Sequence, residues 1–177
     1  YRLPAALVFS RANNLNYISH TSKKSRFGIV TMGKSWRDVR QALVDLGISE
    51  QKAANLGITI LKVGMPFPAD TELYANFARG LEEVLVIEEK RDLLETGLLN
   101  ACYALPSDQR PRLVGRRDEQ GAVLLDNAKP ITADEITLVI AQRIKSFYDS
   151  DLTQSRVKKL KASVGVLADL PSLTIQR

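Results

Sequence analysis

Short apolar segments alternate along this chain with longer segments in which apolar residues recur every three or four positions. The short segments predict strands, because runs of β-branched and aliphatic residues suit a sheet that is buried on both faces. They cover residues 27–32, 58–63, 84–87 and 113–114. The longer segments predict amphipathic helices at residues 4–13, 35–46, 50–56, 70–81 and 91–105, and from Thr132 onward. This alternation predicts a three-layer α/β/α fold with a mainly parallel sheet.

Local capping signals agree with these boundaries. Ser35 and Asp70 stand where side chains can cap the second and fourth predicted helices. Thr132 and Glu135 have the spacing of a capping box at the start of the last one. Between the last strand and this helix, residues 116–130 predict a hairpin or loop that turns at residues 119–121. The order of the strands in the sheet does not follow from these signals.

The pattern divides the chain into three parts. Residues 1–26 predict an N-terminal helix and a polar linker, residues 27–148 the α/β domain, and residues 149–177 a C-terminal linker toward a missing domain. The C-terminal part contains a basic amphipathic stretch over residues 156–161. The chain begins at Tyr1 without a Met, which suggests a piece of a longer polypeptide.

Composition narrows the class of protein. Hydrophobic residues make up 45% of the 177, enough for a packed core, and no apolar run is long enough to cross a bilayer. Lys and Arg outnumber Asp and Glu by 25 to 20, a scattered excess that argues against a nucleic-acid surface. The one cysteine, Cys102, excludes a cysteine-ligated iron–sulfur cluster within the chain and fits a reducing, cytoplasmic location. We expect Cys102 to be buried, and the one histidine, His20, to lie at the surface.

Residues 28–35 satisfy the phosphate-loop pattern G-x-x-x-x-G-K-[ST], with Gly33, Lys34 and Ser35 at its end. This pattern favours one alternative function, a small nucleotide-binding protein. The intervening residues, however, are Ile, Val, Thr and Met, which suit the centre of a sheet rather than a loop. We therefore expect a tight strand-to-helix turn at Gly33, with Lys34 and Ser35 at a helix amino end where an anion could bind weakly.

Two further segments follow predicted strands. Residues 64–68 include Met65 and Pro66 and predict a rigid turn. Glu88, Glu89 and Lys90 stand after residues 84–87, where parallel sheets place ligand sites. The two carboxylates could hold magnesium, or they could simply leave the core to meet solvent, a neighbouring domain or the next helix.

Five segments together carry a resemblance to a known family. They are residues 28–33, 62–68, 83–90, 113–118 and 131–136, in this order. They resemble the transketolase C-terminal-like domain of indolepyruvate:ferredoxin oxidoreductases, and most closely the long fused bacterial form. The resemblance covers nearly the whole chain from about Arg2.

The resemblance implies a middle domain of a longer enzyme, called the parent enzyme below. The parent enzyme oxidatively decarboxylates aryl 2-oxoacids to acyl-CoA with thiamine diphosphate, magnesium, coenzyme A and iron–sulfur clusters, passes electrons to ferredoxin, and forms homo-oligomers. The cofactor motifs are missing from this chain, so no catalytic, cofactor or metal residue carries over. We expect a structural role, with interdomain or anion contacts at Gly33, Lys34, Ser35, Met65, Pro66, Glu88, Glu89 and Lys90. A free-standing module that binds an acidic partner through residues 156–161 is a further alternative.

Overall fold

The structure, a computed structural model, describes residues 2–126 and 130–168, with side chains to residue 162. A short 3-10 turn at Ser107–Gln109 precedes the last strand. The elements in chain order are α1 (Arg2–Ala12), β1 (Tyr17–His20), β2 (Phe27–Met32), α2 (Gly33–Asp45), α3 (Glu50–Leu56), β3 (Ile58–Val63), α4 (Thr71–Ala78), β4 (Glu83–Ile87), α5 (Leu93–Tyr103), β5 (Arg112–Val114), α6 (Ala133–Ile144) and α7 (Asp151–Ala168).

The strands form one sheet in the order β1-β3-β2-β4-β5. Strands β2 to β5 are parallel, and β1 runs antiparallel to β3 at one edge. Strand β2 lies at the centre, where Val30 is in register with Leu61 of β3 and Val86 of β4. Its side chains are buried on both faces, which explains why its sequence is a continuous apolar run rather than an alternating one.

Two hydrophobic cores cover the two faces of the sheet. One joins α2 and α6 to the sheet through residues such as Ile29, Leu43 and Ile140. The other joins α4 and α5 to the opposite face through Tyr74 and Leu98. Neighbouring residues of β2 point into different cores, Ile29 into the first and Val30 into the second, so the sheet lies between two layers of helices. This arrangement confirms the predicted α/β/α fold.

Local signals fixed several boundaries correctly. The capping box is present: the Thr132 side chain accepts from the Glu135 N–H, and the Glu135 carboxylate accepts from the Thr132 N–H. Asp70 caps α4 by accepting from Leu73 N at 3.1 Å. The predicted hairpin has a bridge between residues 117 and 123; the part of that loop at residues 127–129 lies outside the described residues.

Two predictions of local structure are wrong. The polar linker over residues 16–26 contains β1, in which Tyr17 is in register with Lys62 of β3. Strand β1 is too short and too exposed to leave an apolar signature. Ser35 does not cap α2, which begins two residues earlier. Gly33, at φ +55°, lets the chain turn directly from β2 into the helix, so Ser35 is buried in its first turn.

The basic stretch after residue 149 is helical, and its first turns pack on the α/β domain. Thr153 Oγ1 donates to the Leu46 carbonyl at 3.3 Å. Arg156 Nη1 donates to the carbonyls of Val44 and Asp45 at 2.7 and 2.6 Å. Helix α7 thereby supplies donors to two carbonyl groups in the last turn of α2, of which the Val44 carbonyl also accepts from the Gly47 N–H at 2.9 Å. The last part of the predicted C-terminal linker of residues 149–177, residues 169–177, lies outside the described residues.

Candidate functional site

The residues predicted from the sequence lie along the carboxyl edge of the parallel strands. Gly33 to Ser35 follow β2, Met65 and Pro66 follow β3, and Glu88 to Lys90 follow β4. Helices α2 and α5 leave this edge on opposite faces of the sheet. The crevice between the ends of β2 and β4 is therefore a topological switch point, the usual ligand position in such sheets.

The phosphate-loop interpretation is wrong. Residues 28–32 of the motif lie inside β2 and are in register with β3 and β4 on both sides, so they cannot wrap around a phosphate. Gly28 lacks a side chain for a packing reason. A Cβ at this position would lie 2.7 Å from Leu81 Cδ1 and 2.9 Å from Phe77 Cε1. The expected strand-to-helix turn at Gly33 is confirmed.

Lys34 closes the switch-point crevice. Its Nζ lies 2.6 Å from Asp38 Oδ2, 3.0 Å from the Ile131 carbonyl and 3.5 Å from Glu89 Oε1. The hydrogen bond to Asp38 is the main cause of a raised Lys34 pKa. The ammonium is thus held by protein groups from three segments, and it links the ends of β2 and β4 across the crevice.

Glu88 is buried, and its side chain accepts hydrogen bonds from the start of the next helix, α5. Its two carboxylate oxygens accept from the N–H groups of Leu94 and Glu95, at 2.8 and 2.9 Å. Burial raises the Glu88 pKa, and these two hydrogen bonds oppose that rise. The sequence left several environments open for Glu88, and contact with the start of the next helix is the one that the structure shows.

The remaining predicted residues do not converge on Glu88. Met65 belongs to a turn whose amide N–H, with that of Gly64, donates to Asn16 Oδ1 at 2.9 Å. Pro66 lines a neighbouring groove between the ends of β2 and β3. The backbone of Lys90 has φ +67°, and its carbonyl accepts from Arg116 at 3.0 Å. These contacts stabilise loops and form no acid–base pair.

The side chains of His20 and Cys102 are both largely enclosed by the fold. Only 8% of the His20 side chain is exposed, so the prediction of a surface residue is wrong; burial lowers its pKa. Cys102 is buried as predicted, and burial raises the pKa of its thiol. Across the described ranges, no group of three or more His, Cys, Asp or Glu side chains could hold a metal ion.

Sequence reasoning missed a second cluster at this edge. Trp36, Arg37 and Lys62 line the groove between the ends of β2 and β3 together with Lys34 and Pro66. The available signal was the first two turns of α2, which contain Lys34 and Arg37 but no acidic residue before Asp38. Lys62 could not be linked to them from the sequence, because only the pairing of β2 with β3 brings it there.

The fold and this edge define the class of protein: a doubly wound α/β domain with a covered switch point. The sequence model of the indolepyruvate oxidoreductase domain family matches residues 17–166, and the chain belongs to this family. A curated relative, indolepyruvate oxidoreductase subunit IorA of Thermococcus kodakarensis, is 38% identical over 79 residues, 45% of this chain and 11% of the relative. The same subunit of Methanothermobacter marburgensis is 33% identical over 87 residues, 49% of this chain and 13% of the relative. The aligned segments thus span little more than a tenth of these relatives.

A solved structure of a split-gene transketolase, an inactive tetramer, matches the fold with a TM-score of 0.50 and 16% identity. The match covers 75% of the present chain and 42% of the transketolase chain, and it confirms the transketolase-like architecture. In the described part of the chain, no helix is both long enough and apolar enough to cross a membrane.

Proposed function

We propose that this chain is a non-catalytic, interdomain domain of a thiamine-diphosphate-dependent 2-oxoacid:ferredoxin oxidoreductase of the indolepyruvate type. The parent enzyme decarboxylates aryl 2-oxoacids to acyl-CoA, in the cytoplasm, and is a homo-oligomer. Its thiamine diphosphate, magnesium and iron–sulfur clusters are held by other domains, which are also the partners of this one. Membership of the indolepyruvate oxidoreductase domain family supports the parent reaction.

The observation that carries the non-catalytic role is the use of Glu88. In a sheet of this topology, a carboxylate at the end of a central strand is the natural candidate for an acid, a base or a metal ligand. Here both of its oxygens accept backbone N–H groups of α5. Lys34 is likewise held by Asp38 and the Ile131 carbonyl. The Glu88 carboxylate and the Lys34 ammonium are therefore employed in joining segments of the fold.

Exposed apolar residues support the interdomain role. On α1, Leu3, Val8 and Phe9 are each more than half exposed. On α5, Leu99 and Tyr103 are one helical turn apart, and Tyr103 is 81% exposed. Helix α5 lies in the layer that contains α4, because it packs on α4, and α1 is tied to the N-cap residue of α4 by the Arg11–Asp70 ion pair. We propose that this layer faces a neighbouring domain of the parent enzyme.

The experiment compares substitutions in the parent enzyme. Phe9→Asp combined with Tyr103→Asp places charges in the proposed interface, and we expect lower indolepyruvate oxidation and weaker assembly. Val44→Asp is the matched control, because Val44 is 62% exposed on α2 in the opposite layer. Glu89→Gln tests the non-catalytic role and should retain activity. Equal losses in the interface and control variants, or loss of activity in Glu89→Gln, would contradict the proposal.

The interaction module with a basic tail receives less support. Arg156, the first residue of its basic stretch, donates to the carbonyl groups at the end of α2. At least one cation of the basic stretch at residues 156–161 is therefore bound to the α/β domain itself and not available to an acidic partner.

A further inference from the structure

A groove lies between the carboxyl ends of β2 and β3, at this edge of the sheet. Its volume is about 590 Å³, within the range of small-molecule sites. Met32 and Val63, the last residues of the two strands, and the turn at Gly64 also line it. It lies beside the Lys34–Glu89 crevice and is separate from the buried Glu88 carboxylate.

The charge of this groove is one-sided. Three of its lining residues are cations, Lys34, Arg37 and Lys62, and none is acidic. Asp38 neutralises Lys34. Within the described residues, no hydrogen bond or ion pair is formed by the side chains of Arg37 and Lys62. Two like charges on one groove without a counter-charge are unfavourable, and an anion bound between them removes that cost.

Two aromatic rings hold Lys62 at the groove. Its ammonium lies 4.7 Å from the ring centroid of Trp36 and 5.1 Å from that of Tyr17. Such contacts position a cation without neutralising it, so its charge remains available to a ligand. Arg40 also lies over the Trp36 ring, at 5.4 Å, so this ring is already in contact with two cations. The groove therefore offers positive charge to a ligand.

The start of α2 adds to the positive potential. This helix has no side-chain cap at Met32 and no acidic residue in its first turn, where Lys34 stands instead. Cations are normally disfavoured at this end, because the helix dipole is positive there. Its backbone N–H groups and the side-chain cations therefore favour the same kind of ligand.

We propose that this groove binds a diphosphate group, free or as part of a nucleotide, between Arg37 and Lys62. The binding requires no metal, because the groove has no carboxylate to hold one. This site differs from a phosphate loop: its main ligands are side chains from α2 and β3, and residues 28–32 take no part.

The test is calorimetric titration of the purified chain with inorganic pyrophosphate, in EDTA at constant ionic strength. We expect saturable binding of one pyrophosphate. The variant Arg37→Gln with Lys62→Gln keeps side-chain length but removes both charges, and its affinity should fall at least ~10-fold. Arg91→Ala with Lys158→Ala is the control, because it removes two exposed cations elsewhere. Circular dichroism melting establishes that each variant is folded.

Two comparisons separate the possible ligands. ADP that binds as tightly as pyrophosphate, with no binding of adenosine, identifies the diphosphate as the recognised group. A phosphate-loop site would instead require magnesium, so its binding would be absent in EDTA and would appear only when magnesium is added. The proposal is overturned if pyrophosphate does not bind, if sulfate binds equally well, or if the Gln variant binds as tightly as the control.

Discussion

Removal of the Glu88 carboxylate tests the role assigned to the central acidic residue. Glu88→Ala deprives the N–H groups of Leu94 and Glu95 of their acceptors at the start of α5. The Leu94 N–H is buried, so water cannot replace the lost acceptor, and such a group costs ~1–3 kcal/mol. The Glu95 N–H is partly accessible, and its loss resembles that of an ordinary cap, ~1 kcal/mol. We expect the free energy of unfolding to fall by ~2–4 kcal/mol.

Glu89→Ala is the matched control. Among the described residues, the neighbouring Glu89 carboxylate is partly exposed and pairs only with the Lys34 ammonium, 3.5 Å away, a contact worth ~0–1 kcal/mol. Urea unfolding followed by circular dichroism measures both variants, and an unchanged slope would show that only native-state stability has changed. In a chain of this size each kcal/mol lowers the melting temperature by ~2–4 °C, so thermal melting gives an independent value. Losses within ~0.5 kcal/mol of each other would refute the capping role of Glu88.

Three further predictions concern stability. Gly28→Ala should cost ~1–3 kcal/mol in urea unfolding, because its Cβ would lie 2.7 Å from a leucine methyl; an unchanged midpoint would contradict this packing. Glu83→Ala removes the main partner of the largely enclosed Arg143 side chain and leaves it paired with Glu119, so we expect a loss of ~1–3 kcal/mol, partly restored by adding Arg143→Met. Arg11 lowers the Asp70 pKa below its usual 3.8, so this pair stabilises the fold above that pH and the contribution is lost as the pH falls below it. The difference in melting temperature between the wild type and Asp70→Asn should therefore shrink in acid, and a difference independent of pH would count against the pair.

The sequence by itself determined the elements whose signals are local. The capping box of Thr132 and Glu135 lies within four residues, and the structure forms it as predicted. Helix α3 ends at Gly57, whose φ of +82° suits a residue without a side chain. The apolar run of residues 58–63 is buried on both faces as β3. Five short segments in order also sufficed to recognise the family, because family membership depends on sequence along the chain rather than on contacts across it.

Tertiary structure alone decided the contacts between distant segments. Arg156 of α7 donates to carbonyl groups at the end of α2 from more than a hundred residues away. Strand β1 forms because the edge of β3 is available to pair with it, although its own four residues have little strand signal. Lys62 and Arg37 share a groove only because β3 lies beside β2. Pairing between strands depends on backbone hydrogen bonds and on the packing of both faces, and neither is encoded in the residues of one segment.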